Sequence, residues 1–380
     1  MQGGESGMKR ALRWTVLGLA GIALLAIVTV WLSPPLQDAV LRRVVAAQMQ
    51  PRLPPLAETT ALRLVFCGTG APFPDAHAAK SCVAVFAGTH AFLVDIGPEA
   101  TENLVGWRVH LDRLDGVLLT HFHSDHIGEL GELNMQSWVQ GRRQPLAVHG
   151  GPGVEAVVAG FNAAYAADVA ARHAHHARDR GLLPLAAAPL AAQPFTLVQD
   201  AMTADVASAV VFEQDGLRIT AFAVNHGVVR PAVGYRFDYR GRSVVVSGDT
   251  RPTPALVAMA KGADVLVHEA QAKNLMHLLA GEAKAQGNTA LGLLLDDTNE
   301  YHTSPVEAAD LANQAGVREL VFTHFSPPAS NPFVRHAFFR GVRAVRPDHW
   351  RAARDGMWVE VPVDGTPLRF GQLPHRGTSP

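Results

Sequence analysis

The stretch LLTHFHSDHIGEL, residues 118–130, places three histidines and an aspartate within six residues at the end of an apolar run. Residues two apart in an extended chain face the same side, so we expect His121 and His123 to point together. If a helix begins immediately afterwards, Asp125 and His126 lie on its first turn and face a neighbouring point. One short loop can therefore supply ligands to two metal positions. The simpler alternative is a polar loop with hydrogen-bonded histidines.

Three further apolar strands end in the same kinds of residue. TAFAVNHG ends at His226, SVVVSGDT at Asp249 and LVFTHFS at His324. α/β folds build sites from side chains gathered at strand ends along one edge of a sheet. With the loop, these positions supply five histidines and two aspartates, enough for two metals that each keep an open position. Imidazole and carboxylate suit Zn²⁺, and Mn or Fe accept the same ligands.

The composition is that of a globular chain without a strong overall charge. The chain has 380 residues, 48% of them apolar, which is sufficient for a substantial core. The formal net charge of -1 argues against a dedicated nucleic-acid-binding protein, although a local basic patch could be hidden within that sum. The two cysteines, Cys67 and Cys82, are too few for a disulfide framework. They could pair in an oxidising compartment, and the sequence leaves this open.

Residues 14–32 form an uncharged apolar run with a tryptophan at or near each end. The run is close to the ~20 residues that cross a bilayer, and interfacial tryptophans are typical of such spans. Lys9, Arg10 and Arg13 precede it, and this charge bias favours a cytoplasmic N-terminus. The sequence therefore predicts a single-pass membrane protein with its catalytic domain outside the cytoplasm, on the periplasmic side. The alternative is a signal peptide that is removed.

The predicted organisation has four parts. Residues 1–33 form the membrane anchor, and residues 34–60 form a linker with a juxtamembrane helix. Residues 61–361 form the catalytic domain, in which apolar strands alternate with helices in an α/β layered arrangement. Residues 362–380 are interpreted as a C-terminal tail.

The chain resembles the metallo-β-lactamase fold superfamily and, within it, the branch of RNase Z and the zinc-dependent arylsulfatases. The resemblance covers residues 61–361 and rests on eight motifs in the family's order. They are GTGAPFP, FLVDIGPEA, THFHSDHIGEL, NHGVVRPAVGYRF, SGDTRP, LVHEA, YHTSPVEAADLANQAG and LVFTHFSP. The resemblance implies an αββα four-layer sandwich, in which two mixed sheets are covered by helices, here preceded by an N-terminal transmembrane helix.

The same resemblance implies a dinuclear zinc centre with seven protein ligands. The implied ligands are His121, His123 and His226 for one zinc, Asp125, His126 and His324 for the other, and Asp249 bridging both. In this family a hydroxide held between the metals is the nucleophile, because metal binding lowers the pKa of water towards 7.

Three further positions match residues beside the family's metals. His302, in HTS, matches a histidine that stabilises the transition state or acts as a general acid. Glu269, in HEA, would orient His302, and Asp95, in VDIG, would support a metal ligand by a hydrogen bond. A purely structural hydrogen bond is the alternative for both carboxylates. Asp125 joins His302 and Glu269 in the predicted catalytic set, besides its role as a ligand.

Two segments bear on the substrate. RNase Z grips tRNA with a basic Gly/Pro-rich arm, often located between the H-x-H-x-D-H and NH motifs, whereas residues 145–224 here are Ala-rich with dispersed arginines. Residues 272–301 are longer than expected for RNase Z, and we predict a helix over 274–285 followed by a loop beside His302, where a lid or selecting wall would lie.

These features favour a membrane-anchored dinuclear zinc hydrolase of the arylsulfatase or phosphodiesterase type, acting on a small sulfate or phosphate (di)ester. One alternative is a tRNA 3′-end processing endoribonuclease. Another is a non-catalytic binding module on the same scaffold, which the complete ligand set argues against. The predicted partners are a small-molecule ester and the membrane; the sequence argues against nucleic acid without ruling it out, and a homodimer is compatible with it.

Overall fold

The computed structural model describes two compact units, Met1–Pro51 and Arg52–Pro380. The described residues are 4–49, 60–176, 181–197, 207–329 and 331–374. Part of the predicted linker, residues 50–59, and the end of the predicted tail, residues 375–380, lie outside them.

The N-terminal unit consists of two helices, α1 (Gly4–Leu32) and α2 (Pro34–Gln48). Proline at the start of α2 suits a first helical turn, where a backbone N–H has no intrahelical acceptor. By length and composition alone, two described helices could cross a membrane: residues Ala11–Leu32, with mean hydropathy 2.4, and Val154–His176, with mean hydropathy 1.2. The second of these packs on a sheet of the larger unit.

The first sheet has eight strands and is mixed. In spatial order they are β15 (Arg369–Gln372), β14 (Met357–Pro362), β1 (Ala61–Gly68), β2 (Cys82–Ala87), β3 (His90–Val94), β4 (Gly116–Leu118), β5 (Leu146–Gly150) and β6 (Leu190–Pro194). Neighbours are antiparallel from β15 to β3 and parallel from β3 to β6.

The second sheet has seven strands and is also mixed. In spatial order they are β13 (Trp350–Ala352), β12 (Glu319–Ser326), β11 (Val265–Gln271), β10 (Arg242–Val246), β9 (Val233–Tyr239), β8 (Leu217–Ala223) and β7 (Ser208–Gln214). The four strands from β13 to β10 are parallel, and the pairs from β10 to β7 are antiparallel.

The described helices of this unit follow or connect the strands. They are α3 (Ala100–Gly106), α4 (Ser124–Ile127), α5 (Leu130–Val139), α6 (Val154–His176), α7 (Pro254–Ala260), α8 (Lys273–Ala285), α9 (Thr289–Asp297), α10 (Pro305–Gln314), α11 (Pro332–Phe338) and α12 (Val342–Val345). The start of α10 is fixed by a capping box between Ser304 and Glu307.

Apolar side chains from both sheets meet in one buried cluster that includes Leu64, Phe92, Tyr235 and Val267. Strand residues alternate in direction, so the opposite faces of the sheets pack on helices in two outer clusters. The predicted αββα four-layer sandwich is confirmed. This layering brings the ends of strands from both sheets to a common edge.

Two details go beyond the sequence-based expectations. Cys67 in β1 and Cys82 in β2, whose pairing the sequence left open, form a disulfide with their Cα atoms 5.0 Å apart. The interpretation of residues 362–380 as a tail was wrong for Arg369–Gln372, because β15 pairs with the edge of β14. The backbone groups of that edge thereby gain hydrogen-bond partners.

Asp355, in the turn before β14, connects three distant segments. Its carboxylate accepts hydrogen bonds from the backbone N–H and hydroxyl of Thr69, the backbone N–H of Ala79 and the amide of Asn103, at 2.7–3.0 Å. Burial raises the pKa of Asp355 to about 6, although the four hydrogen bonds oppose the shift. This carboxylate therefore fixes the loop that follows β1.

We expect Asp355→Asn to lower the free energy of unfolding by about 1–3 kcal/mol, because an amide NH₂ cannot accept the bonds that one oxygen receives from Ala79 and Asn103. Denaturant unfolding of the full chain in detergent micelles measures this change. Asp364→Asn is the matched control, since Asp364 is exposed and its carboxylate accepts hydrogen bonds from Thr366, two residues away. Equal stabilities for the two variants would contradict the role of Asp355.

Candidate metal centre

Strand ends from both sheets position the predicted ligands, and local backbone features direct two of them. Gly248, before Asp249, has φ +60°, and a Cβ there would lie 2.5 Å from the carbonyl oxygen of Val233. Only glycine accommodates that approach. His324 also has a positive φ, 50°, at a bulge where the register of β12 against β11 shifts. Bulges re-aim side chains in this way.

Four side chains converge on one point near the start of α4. His324 Nε2 lies 3.2 Å from Asp125 Oδ2 and 3.3 Å from His126 Nε2. Asp249 Oδ2 lies 3.4 Å from both of these ring nitrogens. The group therefore brings together the three residues predicted for one metal and the predicted bridging aspartate.

His121, His123 and His226 form the adjacent group, with ligand atoms within 4.8 Å of one another. The Nε2 atoms of His121 and His226 lie 3.9 and 4.0 Å from Asp249 Oδ2. Asp249 thus stands between the two groups. His123 is exposed, while the other two histidines are buried.

The arrangement fits divalent cations. Tetrahedral zinc with bonds of about 2.0–2.1 Å needs ligand atoms about 3.3–3.4 Å apart. In the group that contains His324, the separations between donor atoms are 3.2–3.5 Å. The Nε2 atoms of His121 and His226 are buried, and no described residue offers them a hydrogen bond. Unpartnered buried polar atoms are costly, and a bound cation would satisfy these atoms.

Asp95 and Thr120 support the centre from behind. Asp95 Oδ2 lies 2.8 Å from His126 Nδ1 and accepts a hydrogen bond of the same length from the Thr120 hydroxyl. Asp95 Oδ1 accepts from the Thr120 backbone N–H. A carboxylate bonded to Nδ1 leaves Nε2 of His126 free to bind a metal. Thr120 was not singled out from the sequence, although its place before the histidine loop is a usable signal.

His302 and Glu269 form a second pair beside the candidate ligands. His302 Nδ1 lies 2.9 Å from Glu269 Oε1, which also accepts from the backbone N–H groups of Thr250 and Thr303. The His302 ring lies 4.9 Å from the His226 ring. Glu269 is therefore held in place and in turn holds His302 towards the centre.

Tyr301 is a further residue at the centre that sequence reasoning missed. Its ring lies 5.1 Å from the His226 ring, and its carbonyl oxygen lies 3.3 Å from His226 Nδ1. It follows α8 and α9, the two helices of the segment where one helix and a loop were predicted. Adjacency to His302 in the sequence is the signal that could have identified Tyr301.

The charges at the centre depend on burial and on close partners. Burial lowers the pKa of His226 to about 4 and, together with the His126 ring, holds the pKa of His121 well below its usual range. Burial would raise the pKa of Asp125, but His126 and His324 outweigh it and lower that pKa to about 2. Burial opposes protonation of His302, but Glu269 outweighs it and raises the pKa of His302. Neutral imidazoles and ionised carboxylates are the states that bind metals.

Comparisons with known proteins agree with this geometry. Residues 90–325 match the family described as Beta-lactamase superfamily domain. A protein named Ribonuclease Z from Mycobacterium sp. (strain KMS) is 35% identical over 269 residues, which cover 70% of this chain and 85% of that protein. The structure of human tRNase Z, short form, aligns with a TM-score of 0.56 at 19% identity and covers 79% of this chain and 99% of that one. The metallo-beta-lactamase fold protein YhfI from Bacillus subtilis aligns with a TM-score of 0.53 at 20% identity and also covers 79% of this chain and 99% of that one.

We expect the purified chain to bind about two divalent ions, and Asp249→Asn to lower this content to about one or fewer, because Asp249 faces both groups. Elemental analysis after gel filtration measures the content. Asp238→Asn, at a carboxylate paired with Arg236 outside the centre, is the control. Metal content that is equal in the two variants would contradict the bridging position of Asp249.

Proposed function

This chain belongs to the metallo-β-lactamase superfamily as a metal-dependent hydrolase related to ribonuclease Z, and we propose that it cleaves phosphodiester bonds in RNA. The prediction of a small sulfate or phosphate ester is less well supported than its alternative, the ribonuclease. The relatives named Ribonuclease Z support this choice, because this chain covers 85% of such a protein at 35% identity.

The observation that carries the proposal is the full set of seven candidate ligands beside a buried His302–Glu269 pair. A binding module would not need an acid–base pair held next to the metal ligands. A hydrolase needs both the metal ligands and such a pair, because water must be activated on one side of the phosphorus and the leaving oxygen must receive a proton on the other.

We assign the two metal positions to Zn²⁺, for which imidazole and carboxylate ligands are suitable. His121, His123 and His226 would hold one ion, Asp125, His126 and His324 the other, and Asp249 both. When bound, such ions supply water of lowered pKa and offset charge on the phosphate oxygens. Since its pKa is about 2, Asp125 is ionised at neutral pH, so it serves as a ligand and hydrogen-bond acceptor.

In this proposal His302 is the general acid. Its Nδ1 is engaged by Glu269, so Nε2 is the ring atom that can give a proton to the leaving oxygen. The raised pKa of His302 keeps a larger fraction of the ring protonated near neutral pH. The attacking water gives one proton to solvent, and its oxygen bonds to phosphorus. The bond between phosphorus and the leaving oxygen then breaks, that oxygen takes the proton from Nε2, and solvent restores the proton to His302. Glu269 acts through His302 as a positioning residue.

A second candidate is a small phosphodiester or sulfate ester hydrolysed outside the cytoplasm. The disulfide between Cys67 and Cys82 favours it, because disulfides persist mainly in oxidising compartments. The apolar helix of residues Ala11–Leu32 is consistent with a membrane anchor that would leave the larger unit on the periplasmic side. Exposed leucines on α8 and α9, the two helices that precede Tyr301 in the chain, offer apolar surface for an aryl group; Leu278 and Leu294 are among them.

A substrate panel separates the two candidates. We expect the zinc-loaded chain to release the 3′ trailer from a tRNA precursor, to hydrolyse bis(p-nitrophenyl) phosphate slowly and to leave p-nitrophenyl sulfate intact, because the centre is suited to a phosphodiester. Electrophoresis of labelled RNA and nitrophenol absorbance measure these reactions, with Asp249→Asn as the inactive control. Turnover of the small esters without RNA cleavage would favour the second candidate and contradict the first.

We expect His302→Ala to keep its metal and to lose about 10²- to 10⁴-fold in kcat, the range for removal of a general acid. Glu269→Gln should reduce kcat by a smaller factor. It should also shift the pH dependence of kcat to lower pH, because without the carboxylate the pKa of His302 falls and the ring loses its proton at lower pH. His277→Ala, an exposed histidine of α8 paired with Asp296, is the control. Loss of metal from the His302 variant would instead make this residue a ligand.

A further inference from the structure

A groove of about 790 Å³ lies between α11, α12 and the edge strand β13, outside the candidate metal centre. Its walls come from residues 332–352, a segment to which the sequence analysis gave no function. The lining carries four arginines and one acidic residue, Asp348. The arginines are Arg335, Arg340, Arg343 and Arg351. A local positive surface thus exists on a chain whose net charge is -1.

Two of these arginines are already engaged and shape the groove. Arg351 is paired with Glu319 at 2.9 Å, and Arg335 donates to the carbonyl oxygen of Ala352 at 3.1 Å. Arg340 and Arg343 are exposed, and neither forms an ion pair with a described residue. Their guanidinium groups are therefore available to a ligand. Guanidinium groups bind phosphate oxygens with two parallel hydrogen bonds.

An aromatic surface accompanies these charges. Trp350 is half-buried, and its ring packs on Phe339 and Phe322 with centroid distances of 5.3 and 5.8 Å. Arg343 lies 5.9 Å from the centre of the Trp350 ring. Arginines beside a fixed aromatic ring are the combination that binds single-stranded nucleic acid, since phosphates meet the charges and a base stacks on the ring.

The groove is connected to the candidate metal centre through the fold. β13 pairs in parallel with β12, the strand that carries His324. α11, which forms one wall, packs against α8, and Asn274 donates to the carbonyl oxygen of Ala337 at 3.2 Å. The groove and the metal centre thus share neighbouring elements of one unit. A binding site away from the metals would serve a polymer, whereas a small ester would need only the metal centre.

We propose that this groove is an exosite that binds the phosphate backbone of an RNA substrate, with Arg340 and Arg343 as phosphate contacts and Trp350 as a stacking surface. The inference rests on the proposed function, because it names where that substrate is held away from the metals. An RNA is favoured over an anionic lipid surface because the charges line a concave groove next to an aromatic ring.

The test compares Arg340→Glu/Arg343→Glu with Arg113→Glu/Arg172→Glu in the full-length protein in detergent micelles. The control pair is exposed, lies outside the groove and changes the net charge equally. Fluorescence anisotropy with a labelled tRNA precursor measures affinity, with His302→Ala present in every protein to slow cleavage. Metal content and thermal unfolding verify that each variant is folded.

We expect the groove variant to bind RNA at least about tenfold more weakly than the control variant. The slope of log affinity against log salt concentration should be smaller in magnitude by about two, about one for each lost phosphate contact. Equal affinities for the two variants would overturn the exosite. Loss of binding to phosphatidylglycerol vesicles without loss of RNA binding would also overturn it in favour of a lipid contact. Turnover of bis(p-nitrophenyl) phosphate by the unmodified protein reports on the proposed function independently of the groove.

Discussion

The crowding of seven histidine and aspartate side chains, with Asp249 between the other six, is the constraint on which the rest of the structure depends. Six of the seven are buried, and several of their donor atoms lie only 3.2–3.4 Å apart. Burying such groups is unfavourable unless a cation or a hydrogen-bond partner compensates them. Strand ends from both sheets, the positive φ of His324 and the position of Gly248 hold this set together. The supporting pairs of Asp95 with His126 and Glu269 with His302 fix which ring nitrogen faces inward.

Local patterns in the sequence predicted an α/β layered arrangement and the residues of the centre, and the resemblance to the metallo-β-lactamase superfamily implied the four layers. An extended H-x-H followed by a helix start was expected at the histidine loop, and α4 begins at Ser124, directly after His123. Apolar strands that end in His or Asp identified the other ligand positions. Contacts between distant segments leave no such pattern. The hydrogen bond that the Tyr301 carbonyl oxygen accepts from His226, the hydrogen bonds of Asp355 and the pairing of β15 with β14 all depend on tertiary structure.

The net charge shows that the prediction of function from sequence is limited in the same way, because contacts between distant segments are not visible in it. A net charge of -1 argues against long-range attraction of a polyanion, and that argument holds for the whole chain. It does not describe a groove in which arginines spaced irregularly from Arg335 to Arg351 meet on one face. Their spacing has neither helical nor strand periodicity, because α11, α12 and β13 each contribute a part. The groove would hold RNA only under the proposed function, which rests on the ligand set and the ribonuclease Z relatives. The disulfide and the apolar helix instead favour an ester hydrolysed outside the cytoplasm.

The pairing of β1 with β14 has a consequence for how the chain is assembled. Ala61 is the partner of Pro362, so the centre of the first sheet joins residues about three hundred positions apart. While the polypeptide is being synthesised, one edge of β1 stays without its neighbour until nearly the whole domain has emerged. Folding dominated by such distant pairings is slow, and unpaired strand edges are open to association with other chains. A molecular chaperone that shields β1 during this interval would protect an unpaired strand edge of the nascent chain.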